Sequence, residues 1–468
     1  MIAPFFKFFI TLLLIFITAG AANGKQNKSP HAPHEAKGEI TLQQALQIAL
    51  KNNRSLQRLG LNVVSSKLSV KAQEAEFDIK VMPATSVGYQ DSSGEHWRLG
   101  LELQKKSKFG VTSSITPQIQ RSGDAYRSYV DVSLNVPLLK GFGTEYNLDG
   151  MYSSLYELEN ARRTLYKQQV NIVLSTVTAI YDIIKNQQQA RLLSGQLNGL
   201  ENHLAVTESK EKTGLATAMD LYRAELRLKD IQNEITSLQE QHENHVDRLK
   251  ELMAVPMQGD VTVTAPVDYK PVVIDPEQAV TVSLENRIEI EQAKRRVKEL
   301  RRKMIIAKRD ILPALDLNVD YERYADDKTF ELTEDIWTLS LGSSTDFTRS
   351  NERLAYARSK INRRKAQIDL KEEEQRIVKE VRSRINSMSK KEVLIADRIS
   401  QEKQVVGKQE LAASKFNHGL ADNFDLLEAQ AQSQQVKMAL LADTVDYIVG
   451  TYQLRAALGT LIDARKVQ

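Results

Sequence analysis

Three carboxylates, Asp422, Asp425 and Glu428, stand three residues apart, directly after the pair Gly419-Leu420. That spacing puts them on one helical face, one turn above another. Several copies converging on an axis would stack them as acidic rings, which favour cations and raise the pKa of crowded members. Each has a plainer use as well. Asp422 suits an N-cap and Asp425 the third helical position of a capping box, as Asp220 does after Thr217. Glu428 has no capping role, but an exposed helical glutamate is common. His242 and His245 are the other pair with chemical promise. They lack HExxH spacing and a third ligand, so they read as a polar layer setting helix register. The chain has no cysteine, its seven histidines are scattered, and it carries no nucleophile elbow or phosphate loop. This is the pattern of a non-enzyme needing no cofactor.

The elements that would position these residues occur twice. Gly214-Leu215-Ala216, Asp220-Leu221 and Ala224 return as Gly419-Leu420-Ala421, Asp425-Leu426 and Ala429, at a constant offset of 205 residues. Gln44-Ala45 and Gln278-Ala279 pair at 234, and Pro83-Ala84 and Pro313-Ala314 at 230. A period this long makes each copy a multi-element half of one body rather than a solenoid turn. The first half is read as 39–254, the second as 275–468, with 255–274 joining them around an equator.

Each half contains a long helical hairpin. Val173, Val177, Ile180, Ile184, Ala190, Leu193, Leu197, Leu200 and Leu204 follow steps of three and four, a coiled-coil seam. The seam resumes after Gly214 through Leu221, Ala224, Leu228, Ile231, Ile235, Leu238, His242, His245, Leu249 and Leu252. Helix over 146–212 would be about 100 Å long, and 351–417 matches it. Gly214 and Gly419 suit the left-handed residue that ends a helix, and Leu215 and Leu420 the apolar contact beside it. The hairpins therefore run over about 146–254 and 351–461. Thr41 with Gln44, and Asp275-Pro276 with Gln278, open shorter helices.

Between the helices the period changes to two. Leu99, Leu101 and Leu103 alternate with polar residues, as do Val130, Val132, Leu134 and Val136, then Leu315, Leu317, Val319 and Tyr321, then Trp337, Leu339 and Leu341. An apolar face opposite a polar one is what a barrel strand between lipid and water needs. Strands are expected over about 82–137 and 314–347. The second stretch holds two, 314–324 and 336–347. The first is longer by one hairpin, 97–104 and 111–120, turning at Lys108-Phe109-Gly110; it could join a barrel or lie outside it. Four to six strands cannot close a barrel, and open edges are not tolerated in lipid, so several chains would share one. A small soluble sheet capping a helical bundle is the plainer alternative.

Composition agrees with long helices: charged residues make up 26%, and glycine and proline are sparse. The net charge of +4 is too small and dispersed for nucleic acid. Lys7, the apolar run Phe8 to Ile17 and the small residues from Ala19 read as an export signal over 1–24, followed by a flexible leader over 25–38.

The motifs together resemble the TolC-like outer-membrane efflux channels. Thr41 to Asn53 resembles that family's opening helix, Val136-Pro-Leu-Leu-Lys-Gly-Phe-Gly143 its strand-to-helix exit, Gly419 to Ala429 its second hairpin tip, and Ala456 to Leu461 its closing helix. The resemblance implies a mainly helical fold with a transmembrane β-barrel portion. Three chains would share one barrel in outer-membrane lipid and continue it as a coiled-coil tunnel through the periplasm. It further implies a passive conduit, in efflux or type I secretion, docked through Gly214, Leu215, Gly419 and Leu420 to a periplasmic adaptor on an inner-membrane transporter. By the same resemblance Asp425 and Glu428 occupy constricting acidic positions. The family's usual Tyr and Arg tether around the tip falls here on Phe416 and Ala421, neither of which can make those bonds, so the gate would be held differently. A soluble periplasmic coiled-coil spacer and an adaptor protein are the competing readings; the duplication weighs against the adaptor.

Overall fold

The computed structural model describes residues 39–462 except 91–93, 215, 260, 329, 419, 421 and 422. The export signal, the leader and the tip residues Leu215, Gly419 and Asp422 lie outside the described residues.

The described residues begin with a short strand β1 (Glu39–Thr41), then helices α1 (Leu42–Asn52) and α2 (Arg54–Glu74). Thr41 and Gln44 cap α1 with reciprocal bonds, and Asn53 caps α2 by accepting from Ser55 and Leu56. Four strands follow: β2 (Lys80–Gln90), β3 (Gly94–Lys106), β4 (Thr112–Ser122) and β5 (Ala125–Pro137). The short α3 (Thr144–Asn147) leads into α4 (Asp149–Lys212), which turns back as α5 (Ala218–Met253). The second half repeats this with β6 (Thr262–Thr264), α6 (Pro276–Asn286), α7 (Ile288–Arg309), β7 (Asp316–Ala325), β8 (Glu334–Gly342), α8 (Ser350–Asn417) and α9 (Asn423–Ala457). Among the described residues it has two long strands where the first has four.

All the long strands form one antiparallel sheet in the order β2-β3-β4-β5-β7-β8. The extra hairpin therefore joins the sheet as β3 and β4, between β2 and β5. Two expected bounds change. The last strand stops at Gly342, short of Phe347, because Ser343 and Thr345 turn their hydroxyls onto Ala314 O. The first long helix is interrupted at Leu148, where α3 ends and α4 begins.

Below the sheet, α2 packs on α4 and α7 on α8, and α7 lies beside α4. That α4–α7 seam is ionic. Lys303 Nζ stands 2.8 Å from Asp149, Arg302 bonds the same carboxylate, and Arg295 reaches Glu159 at 3.3 Å. Burial alone would push the Asp149 carboxyl up, but Lys303 and Arg302 outweigh it and hold it below the usual range.

The apolar core sits at the equator. Ile180, Ile183, Leu249 and Met253 are fully buried with Ala45 and Ala49 of α1, and Val263 of β6 closes the cluster. β6 pairs parallel with β1, so the linker between the halves is tied to the strand that precedes α1. Val173, Val177 and Tyr181 of α4 pack on Val445 and Ile448 of α9 and join the halves. Tyr447 donates to Glu392 Oε1 at 2.6 Å and accepts from Val272 N at 3.0 Å. Burial first, and then Glu392, push its hydroxyl up to about 12.

The coiled-coil seams drift at their ends. Buried positions on α5 run Ala224, Ile231, Leu238, Val246, Leu249, Lys250 and Met253, so Leu249 is buried as expected while Val246 takes the place expected for His245. On α4 the buried residues toward the tip are His203 and Thr207, and Leu204 is only partly buried. A helix at 3.6 residues per turn slips against a strict 3.5 repeat, so one step of eight, or one displaced residue, restores the buried face.

Candidate functional site

Both tips are built from helix-ending chemistry. At the first, Gly214 has φ 73° and donates to Glu211 O at 2.9 Å. A side chain there would meet nothing, so the positive φ alone requires glycine. Thr217 then restarts the chain as α5. Its hydroxyl accepts from Asp220 N at 3.2 Å, and Asp220 accepts from Thr217 N at 3.0 Å. The Thr217 hydroxyl, which also donates to Asp220 at 2.6 Å, is the main cause that holds this carboxyl below its usual range.

At the second tip, Leu420 N donates to Lys415 O at 2.8 Å and His418 N to Ser414 O at 3.2 Å. The first is the six-to-one bond of a Schellman ending. Leu420 is 78% exposed and Phe424 half exposed. Asp425 lies on the exposed face in the first turn of α9. Glu428, one turn on, accepts from Gln432 at 2.8 Å and stands 3.5 Å from Lys408 of α8. Of the described acidic pair, Asp425 is thus the exposed member and Glu428 is partly covered by its own hairpin.

Phe416 is buried against Ala412, Leu426 and Ala429 of its own hairpin, and two residues of the other hairpin also reach it. The His203 ring is 4.9 Å away, and Lys210 Nζ sits 3.8 Å from the ring centroid while reaching toward Phe416 O at 3.4 Å. A cation over an aromatic face in such a site contributes about 0.5–2 kcal/mol. Phe416 therefore clasps α8 to α4 without a phenolic hydroxyl. Sequence reasoning noted what Phe416 could not do and missed what it does; the signal was Lys210 and His203, seven residues apart on one face of α4.

A second missed feature lies beside the first tip. Met219, Tyr222 and Leu226 are all exposed on α5. Their spacing gives a helical stripe that is distinct from the buried seam through Ala224 and Ile231. Arg223, on the same helix, stands 5.7 Å from the Phe424 ring and bridges the two tips. The stripe was legible as apolar residues out of phase with the seam.

His242 and His245 are both half-buried on α5. Among the described residues no three His, Asp or Glu side chains gather as a metal site, and no helix is long and apolar enough to cross a membrane.

The sheet supplies the other part of the site. Val81, Leu103, Ile115, Val132, Tyr321 and Trp337 are register partners, one apolar row across all six strands. The next row, Lys80, Gln104, Ser114, Ser133, Asp320 and Thr338, is polar throughout. Both outer strands have a free edge.

Comparison with known proteins places this architecture. The chain is 22% identical over 431 residues to the probable efflux pump outer membrane protein TtgC of Pseudomonas putida, covering 89% of this chain and 82% of that protein. The antibiotic efflux pump outer membrane protein ArpC of Pseudomonas putida matches equally. Among solved structures, the outer-membrane channel OprN superposes with a TM-score of 0.69 at 17% identity over 90% of both chains. VceC of Vibrio cholerae does so with 0.69 at 16% identity, over 89% of this chain and 96% of that one. The family model described as outer membrane efflux protein matches residues 45–255 and 279–460. The chain thus belongs to the outer membrane efflux protein family: it is a channel protein of the outer membrane that extends into the periplasm, and not an enzyme by family.

Proposed function

We propose that three copies of this chain close one barrel in the outer membrane and continue it as a periplasmic tunnel, the passive exit duct of a tripartite export assembly. The single observation behind this reading is the pair of neighbouring rows, one wholly apolar and one wholly polar, in a sheet with two free edges. Lipid on one side and water on the other explain the rows, and unpaired edges in lipid demand further strands. The long hairpins carry the duct toward the inner membrane, where the energy source must lie.

In this reading the two halves, 39–254 and 275–468, are parallel parts of each chain's wall, joined by 255–274 at the equator. The tips dock a periplasmic adaptor, which links the duct to an inner-membrane transporter. The docking surface comprises Gly214, Leu215, Gly419 and Leu420, extended by the exposed Met219, Tyr222 and Leu226. Asp425 and Glu428, with Asp422, form the acidic constriction, and Phe416 replaces a hydrogen-bonded tether by clasping its own chain.

A photo-reactive residue at Leu420 or Met219, activated in intact cells, is expected to capture an adaptor. Capture at the sheet and not at the tips would contradict the docking surface. For the gate, Asp425→Asn with Glu428→Gln is expected to lower cation preference several-fold in planar-bilayer recordings of the purified protein. Unchanged selectivity would remove these residues from the constriction.

A further inference from the structure

We propose that the hairpin β3–β4 belongs to the transmembrane wall, and that the assembled barrel accordingly has eighteen strands. The count rests on the three-copy reading above: three sheets of six strands each. Without the hairpin each half would supply two strands, four per chain and twelve in all.

Membership in the wall follows from length, face and depth. β3 has 13 residues and β4 has 11, against 11 in β2 and 13 in β5. A strand tilted across a bilayer needs about 9–11, so the hairpin spans the full height. Its apolar residues stay in phase with their neighbours: Leu103 and Ile115 lie between Val81 and Val132 in the apolar row. The turn at its base meets the helical end of the sheet, where Phe109 O accepts from Gly143 N at 2.9 Å. A hairpin lying over the mouth or against the outer surface would show neither the shared phase nor the basal contact.

Perimeter gives an independent reason. Four helices per chain, α2, α4, α7 and α8, form the upper tunnel wall beneath the sheet, twelve in three copies. At about 9 Å between helix axes their ring measures about 110 Å around. Eighteen strands about 4.8 Å apart and tilted about 40° measure about 113 Å, whereas twelve at the same tilt measure about 75 Å. Eighteen strands therefore meet the helical wall without a taper, with a backbone diameter of about 36 Å against about 24 Å. Barrels of 16–18 strands hold an open aqueous lumen. The membrane portion then sets no narrow limit on cargo, and selection falls to the tips.

The absence of native cysteine makes single-cysteine labelling clean. A fluorophore at Leu101→Cys, Leu103→Cys or Ile115→Cys should be quenched by doxyl-labelled lipid. Glu102→Cys, Gln104→Cys and Ser114→Cys should instead react with a water-soluble maleimide. Electron-microscopic averages of the unmodified particle along its axis should show threefold symmetry and a strand ring of about 36 Å. Uniform aqueous labelling of the hairpin, or a ring near 24 Å, would overturn the proposal. Alternating labels with a symmetry other than threefold would overturn the count of eighteen and the three-copy reading together, while leaving the hairpin in the wall.

Discussion

The two places where a strand hands over to a long helix do the same job by opposite means. In the first half the handover runs Gly141-Phe142-Gly143 into α3. Gly141 and Gly143 have φ of 90° and 101°, and Asn147 Nδ2 donates to Gly141 O at 2.6 Å. In the second half, 205 residues on, it runs Asp346-Phe347-Thr348 into α8, and the left-handed residue is Arg349 with φ 50°. Its buried guanidinium donates to the carbonyl oxygens of Asp310, Ile311 and Leu312. The extra hairpin explains the difference. Its turn, Phe109-Gly110, lies against the first handover, so that backbone must be bare. No turn arrives at the second, and an arginine fills the space. The sequence of each junction thus records how many strands stand above it.

Substitutions can break this contrast. Gly110→Ala should act most strongly. Its Cβ would fall 2.5 Å from both Asn147 Nδ2 and Gly141 O, at φ 101°. Strain and overpacking together are expected to cost about 2–5 kcal/mol, read as a lower heat-dissociation temperature of the oligomer. Arg349→Ala leaves part-buried carbonyls without their donor and should cost about 1–3 kcal/mol by the same measurement. Gly143→Ala should cost less than Gly110→Ala, about 1–3 kcal/mol of backbone strain, because its Cβ would meet only the movable end of Arg309 at 3.0 Å. If Gly143→Ala proved worse than Gly110→Ala, the packed turn would not be what demands glycine.

The smallest effect concerns the ionic seam between the halves. The Asp149 carboxyl sits below its ordinary value of 3.8 when folded. Its stabilisation is therefore complete above that value and disappears as the pH falls through the lower folded value. Asp149→Asn should weaken the oligomer at pH 7 and weaken it progressively less as the pH is taken below 3.8. A mutational penalty that does not shrink as the pH falls would mean the charge is not what Asp149 contributes.

Much of this was legible in the chain. Offsets of 205 residues between Gly214 and Gly419 gave the duplicated hairpins, and the alternation at Leu99–Leu103 and Val130–Val136 gave strands. Both signals repeat many times along the chain, so a local error does not erase them. The partner of the extra hairpin stayed open because strand period carries no information on register. The clasp on Phe416 was hidden for a similar reason: His203 and Lys210 lie more than two hundred positions away along the chain. The exchange of His245 for Val246 came from accumulated helical drift, which a repeat counted by sevens does not contain.

The most direct test of the shared wall is to join its free edges. Cysteine pairs set singly along β2 and β8, oxidised in intact cells, should yield covalent trimers from the outer-membrane fraction for at least one register. A protein that stays monomeric at every register, and leaves the cells with the soluble periplasmic contents, would contradict the account.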